Sequence, residues 1–409
     1  MRLTAKLLSL TALVGAASSA QATDLEVMHW WTSGGEAAAV AEFAKAFDAS
    51  GNHWVDAAIV GGEQARAVMV SRITGGDPMG AFQFNHGRQA EELIEAGLLR
   101  DITDIAEAEG WLNVVNPSNL LDGCTVDGRI YCAPVNIHSW QWLWLSHKAY
   151  EDAGVPVPTN WEEFVAAAPA LEAAGKVPMA MGQQGWQQSG AFNVLFASLI
   201  PQDVFLKVYG DKDAEVAAGP EVAKVFAAAA AARDMSAKST VQNWNDATNL
   251  VITGEAGGQI MGDWAQGEFA VAGQAAGTDY ECLPGLGDTE VLGTGGDAFY
   301  FPVLSDPDQI AAQTELAKLL LTPDVQVNFN LKKGSLPVRG DVDLEAANDC
   351  MRKGLGLLAD GKLLPDTNQL LTPDTANQMN TLFTEFFADP SMTAEAAQAR
   401  FAEMIAQAE

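Results

Sequence analysis

Between Asp24 and Leu99 two chemical rhythms alternate, and that alternation limits the folds open to the chain more than any other feature. "DLEVMHWW", "WVDAAIVGG" and "MGAFQFN" read as short strands, and each is followed by a stretch with helical spacing. In "EAAAVAEFAKAFDAS", Val40, Phe43, Ala44 and Phe47 recur at i, i+3, i+4 and i+7, the stripe of a half-buried helix. "EQARAVMVSRITGG" and "GRQAEELIEAGL" continue the pattern. Strand, helix, strand, helix, strand predicts a parallel sheet covered by helices, an α/β fold. In such sheets ligands sit beyond the carboxyl ends of the strands. His29-Trp30-Trp31 and Gln83-Phe84-Asn85-His86 both fall there.

The middle changes character. In "NIHSWQWLWLSHKAY" apolar residues alternate, so Trp140, Trp142 and Trp144 are expected on one strand face, packed in a core. Helical patterns follow over 161–174 and over the alanine-rich 221–233, then a Gly-punctuated strand and turn in "ITGEAGGQIMGDWAQGEF". "DPDQIAAQTELAKLLLTPDVQVNFN" predicts two helices broken near Pro323. A chain of 409 residues with 48% apolar content is enough for two domains, each with its own core.

The first 22 residues are set apart. Arg2 and Lys6 precede the apolar run 7–17, and Ala20-Gln21-Ala22 forms a small-x-small cleavage site, so 1–22 reads as a secretory signal. The apolar run is too short to cross a bilayer as a helix. Without it, 21 basic residues face 53 acidic ones, a net charge of −32. Such a chain is repelled by nucleic-acid phosphates and by anionic lipid, which excludes both as partners. Four cysteines in an exported chain indicate two disulfides. "CTVDGRIYC" reads as a hairpin around Asp127-Gly128, where a three-residue loop would set Cys124 opposite Cys132 and leave Cys282 for Cys350. No C-x-x-C or H-E-x-x-H occurs and the five histidines are scattered, so neither a metal nor a cofactor is expected.

Three stretches carry a resemblance. "PTNWEEFVAAAPALEAAG", "GEAGGQIMGDWA" and "LLTPDVQVNFNLKKGSLPVRGDV" resemble, in this order, segments of the periplasmic substrate-binding proteins of bacterial ABC sugar importers (extracellular solute-binding protein family 1). "HWWTSGGE" and the "GDAF" at Asp297 resemble more narrowly the glucose- and mannose-type members. The resemblance implies two α/β lobes of discontinuous chain joined by a hinge, the periplasmic-binding-protein fold. Carried over, lobe 1 is 23–136 with 297–335 and lobe 2 is 137–296 with 336–409. The crossings lie near Val135-Asn136-Ile137, at Gly296-Asp297 and after Gly334-Ser335. This scheme keeps each expected disulfide within one lobe, where it does not resist closure.

A sugar offers apolar C–H faces, which suit flat indoles, and a rim of hydroxyls, which suit carboxylates, amides and lysine. "HWWTSGGE" supplies both within eight residues: Trp30 or Trp31 as a wall and Glu36 as an acceptor. Ser33-x-x-Glu36 is equally a helix capping box. Gln83, Asn85 and His86 form a second polar cluster, which a solvated loop would also explain. The resemblance adds Trp244 as a stacking residue from the second lobe, Asp297 at the hinge and Lys332 as a donor. Lys333 is the alternative to Lys332, and Asp263 and Trp264 follow as lesser candidates. The implied activity is reversible, non-enzymatic capture of a glucose-like monosaccharide in the periplasm for an ABC permease in the inner membrane. A periplasmic glycosidase or lyase using Glu36 and Asp297 is the rival. A same-fold binder of an oligosaccharide or polyol is another.

Overall fold

A computed structural model describes residues 22–409; the expected signal falls almost wholly outside them. Two sheets organise the chain. In the first, the strands run in the order His53–Ala58, Asp24–His29, Ala81–Asn85, Asp297–Tyr300, Cys132–Pro134. The first three are parallel, as the alternation requires, and the last two are each antiparallel to their neighbour. Register sets Asp297 opposite Asn85 and Phe299 opposite Gln83, so a residue from far along the chain joins the strand ends named above.

Helix Gly34–Ala49 covers this sheet because Ala39, Val40, Phe43 and Phe47 form its buried stripe. The Phe43 ring stacks on Phe329 of helix Pro323–Lys333 at 4.1 Å between centroids. Burying a phenylalanine contributes about 1.5–3 kcal/mol, so each aromatic here matters on the scale of the whole stability.

The second sheet runs Tyr280–Pro284, Trp142–Ser146, Ala256–Ile260, Val177–Met179. Along Trp142–Ser146 the alternation is kept: Trp142 and Trp144 enter one cluster with Tyr280 and Phe269, while Leu143 and Leu145 face a larger core around Phe192, Phe226, Phe383 and Phe401. Trp140 departs from the expected trio. It precedes the strand, and its ring swings out of the core and lies edge-on to Trp264.

Both disulfides form as expected, Cys124–Cys132 and Cys282–Cys350. The hairpin between the first pair differs in detail. Val126 pairs directly with Arg129, leaving a two-residue loop with positive φ at Asp127 (50°) and Gly128 (75°), a type I′ turn. The Asp-Gly sequence favours this tighter turn, and the cysteines therefore bridge just beyond the ladder, where the Tyr131 N–H donates to the Cys124 carbonyl.

Three segments run side by side where the cores meet. Ile137 bridges Leu336, His138 bridges Gly295, and the Val135 N–H donates to the Asp297 carbonyl. The chain beyond residue 335, expected in the second lobe, first stays with the first core. Leu336, Val338, Leu344, Met351 and Leu357 are buried there, and the second core resumes at Leu364. Hydrogen bonds hold this segment back: the Val338 carbonyl accepts from the Asn116 N–H and its own N–H donates to Gln326 Oε1. Helix Asp349–Ala359 thus straddles the boundary, pinned to the second sheet by Cys350.

Candidate functional site

A cavity of about 1210 Å³ opens between the cores, bordered by residues of both. Its floor begins where strand Asp24–His29 ends. Trp30 and Trp31 point to different sides, as neighbours on extended backbone must. Trp31 turns into the first core against Phe43, Phe299 and Phe329, and only its margin borders the cavity. Trp30 is half-buried and lines the cavity, its backbone N–H donating to Gln83 Oε1 at 3.0 Å.

Glu36 lies at the capped helix start and also borders the cavity. Ser33 Oγ caps helix Gly34–Ala49 by accepting from the Glu36 N–H at 3.4 Å, and it donates to Glu36 Oε2 at 3.2 Å. The other carboxylate oxygen turns to Lys333 Nζ at 3.5 Å, with both side chains bordering the cavity. Burial raises the Glu36 pKa; Lys333 opposes the rise and Asp297 adds to it. The Lys333 ammonium lies 5.6 Å from the ring of Trp31 and 5.6 Å from that of Trp264, held between indoles of the two lobes.

Of the two adjacent lysines, the cavity takes Lys333 and not Lys332. One helical step rotates a side chain by about 100°, and the turn that buries Phe329 and Asn330 leaves Lys332 exposed. Asp297 is fixed by Gln83 Nε2 at 2.7 Å, Asn136 Nδ2 at 2.9 Å and His138 Nδ1 at 3.3 Å. Burial pushes its pKa up, but His138, Lys333 and Asn136 outweigh that and hold the carboxyl well below its usual range. His138 answers in kind: burial works against its charge, yet Asp297 raises its pKa.

Gln83 and His86 are corrected by the structure. Gln83 is fully buried behind the cavity, where it clamps Trp30 and Asp297, so it positions those groups and does not line the space. His86 is buried among the hinge backbone near Gly123 and Gly296, with its pKa lowered to about 4 by burial and by His138, which keeps it neutral. Asn85 alone of that cluster borders the cavity. Asp263 also lies behind it: Oδ2 accepts from the Ser139 N–H at 2.8 Å and from Ser139 Oγ at 2.9 Å, and burial raises its pKa to about 7. This clamp sets the turn that presents Trp264. Trp244 and Trp264 both border the cavity, their rings perpendicular at 6.5 Å.

Several residues on the cavity wall went unnamed in the sequence reading, among them Arg66, His138, Gln141 and Trp186, and Trp140, expected in the core, lines it as well. His138 carried a signal, a histidine at the predicted crossing, where hinge residues meet the cleft. Arg66 looked like the polar face of an ordinary helix.

The lobes touch at both rims. On one, Glu268 Oε1 accepts from the Gly35 N–H at 2.7 Å; on the other, Asn380 Nδ2 donates to Glu63 Oε1 at 3.5 Å. Two α/β lobes, three crossing segments and an aromatic, charge-paired cleft define a clamp-type binding protein, the two-lobe solute-binding fold. The chain belongs to the bacterial extracellular solute-binding protein family, whose model matches residues 31–327. A protein of Brucella melitensis biotype 1 described as a probable sugar-binding periplasmic protein is 35% identical over 349 residues, 85% of this chain and 82% of that one. One of Rhizobium meliloti with the same description is 35% identical over 356 residues, 86% and 85% of the two chains. Among solved structures, the bacterial solute receptor AcbH, described as having an exclusive preference for β-D-galactopyranose, superposes with a TM-score of 0.78 at 20% identity, covering 94% of this chain and 98% of its own.

Proposed function

We propose that this chain is the periplasmic sugar-binding component of an ABC importer, reversibly capturing a monosaccharide with a glucose-like ring and delivering it to an inner-membrane permease. The observation that carries the reading is a cleft in which Trp30, Glu36, Asp297 and Lys333 face Trp140, Trp244 and Trp264 across the lobe boundary. Indoles supply flat apolar surface for the ring, and the charged groups supply directional hydroxyl contacts. His138 Nε2 and Gln141 Nε2 are buried at the cavity without a partner among the described residues, and both suit a hydroxyl. The names of the relatives support sugar as the cargo and the periplasm as the place, and the basic start, apolar run and small-x-small site support export with removal of residues 1–22.

In this reading the lobes move as bodies about the three crossing segments, and the closed form is favoured only as far as the sugar contacts both. Glu36 and Asp297 act as hydroxyl acceptors, not as an acid–base pair, since Asp297 is already held by three side chains. A thermal-shift screen of the secreted protein across hexoses, pentoses, polyols and oligosaccharides tests it. A monosaccharide at a hundred times its Kd should stabilise the fold by about 2.7 kcal/mol. No shift with any sugar, or sustained release of sugar from glucosides, defeats the proposal.

A further inference from the structure

One cation in the cleft has no directly bonded counter-charge. Of the nine arginines among the described residues, only Arg66 makes neither a hydrogen bond nor an ion pair. It borders the cavity, on helix Gly62–Thr74, with its guanidinium 5.7 Å from the centre of the Trp30 ring. The indole supports it through a cation–π contact, which favours the charge without consuming a single N–H. All five guanidinium N–H donors are left to whatever fills the space.

No carboxylate around the same cavity pairs with it directly. Glu36 is taken by Lys333, Asp297 by Gln83, Asn136 and His138, and Glu385 by Arg400. Asp366 caps helix Thr367–Leu370. Glu63 and Glu92 remain, both exposed at the rim; Glu63, three residues before Arg66 on the same helix, favours its charge through space, but its Oε1 accepts from Asn380 Nδ2 and makes no ion pair with the guanidinium. Of the lysine and the arginine that border the cleft, Lys333 is paired and the Arg66 fork is not. The start of its own helix adds to the field, because Gly61 at the N-cap brings no side-chain acceptor and Gly61 and Gly62 also border the cavity. Burying a lone guanidinium is costly, and a bidentate carboxylate is the partner that its planar fork fits best.

We propose that the sugar taken by this cleft carries a carboxylate, as a hexuronate does, and that Arg66 binds that carboxylate. This rests on the sugar-capture reading and narrows its substrate class to an acidic monosaccharide.

Isothermal titration of the secreted protein with D-glucuronate, D-galacturonate and D-mannuronate, each beside its neutral parent hexose, tests it. At least one uronate should bind more than about tenfold tighter than its parent, and that preference should shrink as salt is raised. Arg66→Gln should abolish the preference, and Arg66→Lys should keep part of it; circular dichroism confirms that each variant is folded. Neutral hexoses binding as tightly as all three uronates overturns the acidic-sugar assignment alone, as does a preference that survives Arg66→Gln. Absence of binding by every sugar, acidic or neutral, overturns the capture reading as well.

Discussion

Replacing Lys333 with methionine isolates the charge pair under the cleft. The side chain is 2% exposed and its ammonium is 3.5 Å from Glu36 Oε1. At that distance, with an effective dielectric of about 20, the Coulomb attraction is about 5 kcal/mol. Desolvation of both ions offsets part of this, but removing one partner strands the other, which typically costs about 3–5 kcal/mol. Lys333→Met keeps most of the volume, so the loss should come from the uncompensated Glu36 carboxylate. Denaturant unfolding followed by tryptophan fluorescence should show about 3 kcal/mol of destabilisation at pH 8. The double variant Lys333→Met/Glu36→Gln should recover most of it, because no buried charge is then unpaired.

The pH dependence has a fixed sign. Burial already holds the Glu36 pKa above 4.5, its ordinary value, and loss of the lysine raises it further. A carboxyl whose pKa is higher in the folded state destabilises the fold above that folded pKa, and the penalty vanishes as pH falls towards the unfolded value. The deficit of Lys333→Met should therefore shrink between pH 8 and pH 5. An equal deficit at both, with no recovery in the double variant, would refute the charge argument and leave packing against Trp31 and Trp264 as the lysine's role.

Gly35→Ala should obstruct closure. A Cβ there would lie 2.6 Å from the Gly267 carbonyl carbon of the opposite lobe, a backbone collision that only separation relieves. Small-angle scattering should show no compaction on adding sugar, with affinity down by tenfold or more; wild-type affinity would show that the rims need not meet. The two disulfides should differ in weight. Loop-closure entropy assigns about 4 kcal/mol to Cys282–Cys350, separated by 68 residues, and about 2–3 kcal/mol to Cys124–Cys132, separated by 8. Urea melts of Cys282→Ser/Cys350→Ser and Cys124→Ser/Cys132→Ser would compare them, and equal losses would contradict the loop-length argument.

The alternating sheet of the first lobe, the helix over Trp161–Ala173, the break at Pro323 and the Cys124–Cys132 pair were legible because each is a local pattern, and Cys282–Cys350 followed as the remaining pair. Periodicity, turn chemistry and proline geometry act over a few residues, and the chain records them directly. The "HWWTSGGE" stretch likewise marked a cleft wall and a carboxylate, with the capping role of Ser33 visible beside them.

Tertiary structure decided what depends on rotation and on distant partners. Adjacent residues such as Lys332 and Lys333 carry equal chemistry, and only the packing of Phe329 sets which one points inward. Gln83 and His86 sit at a strand end that approaches the ligand space, yet strand Asp297–Tyr300 arrives beside them from more than 200 residues away and covers them. Arg66 is an unremarked helix arginine until Trp30 lies beneath it and its guanidinium faces the cavity with no hydrogen-bond partner among the described residues. Charge balance inside a cavity is a property of the assembled surface, so sequence spacing has no means of encoding it.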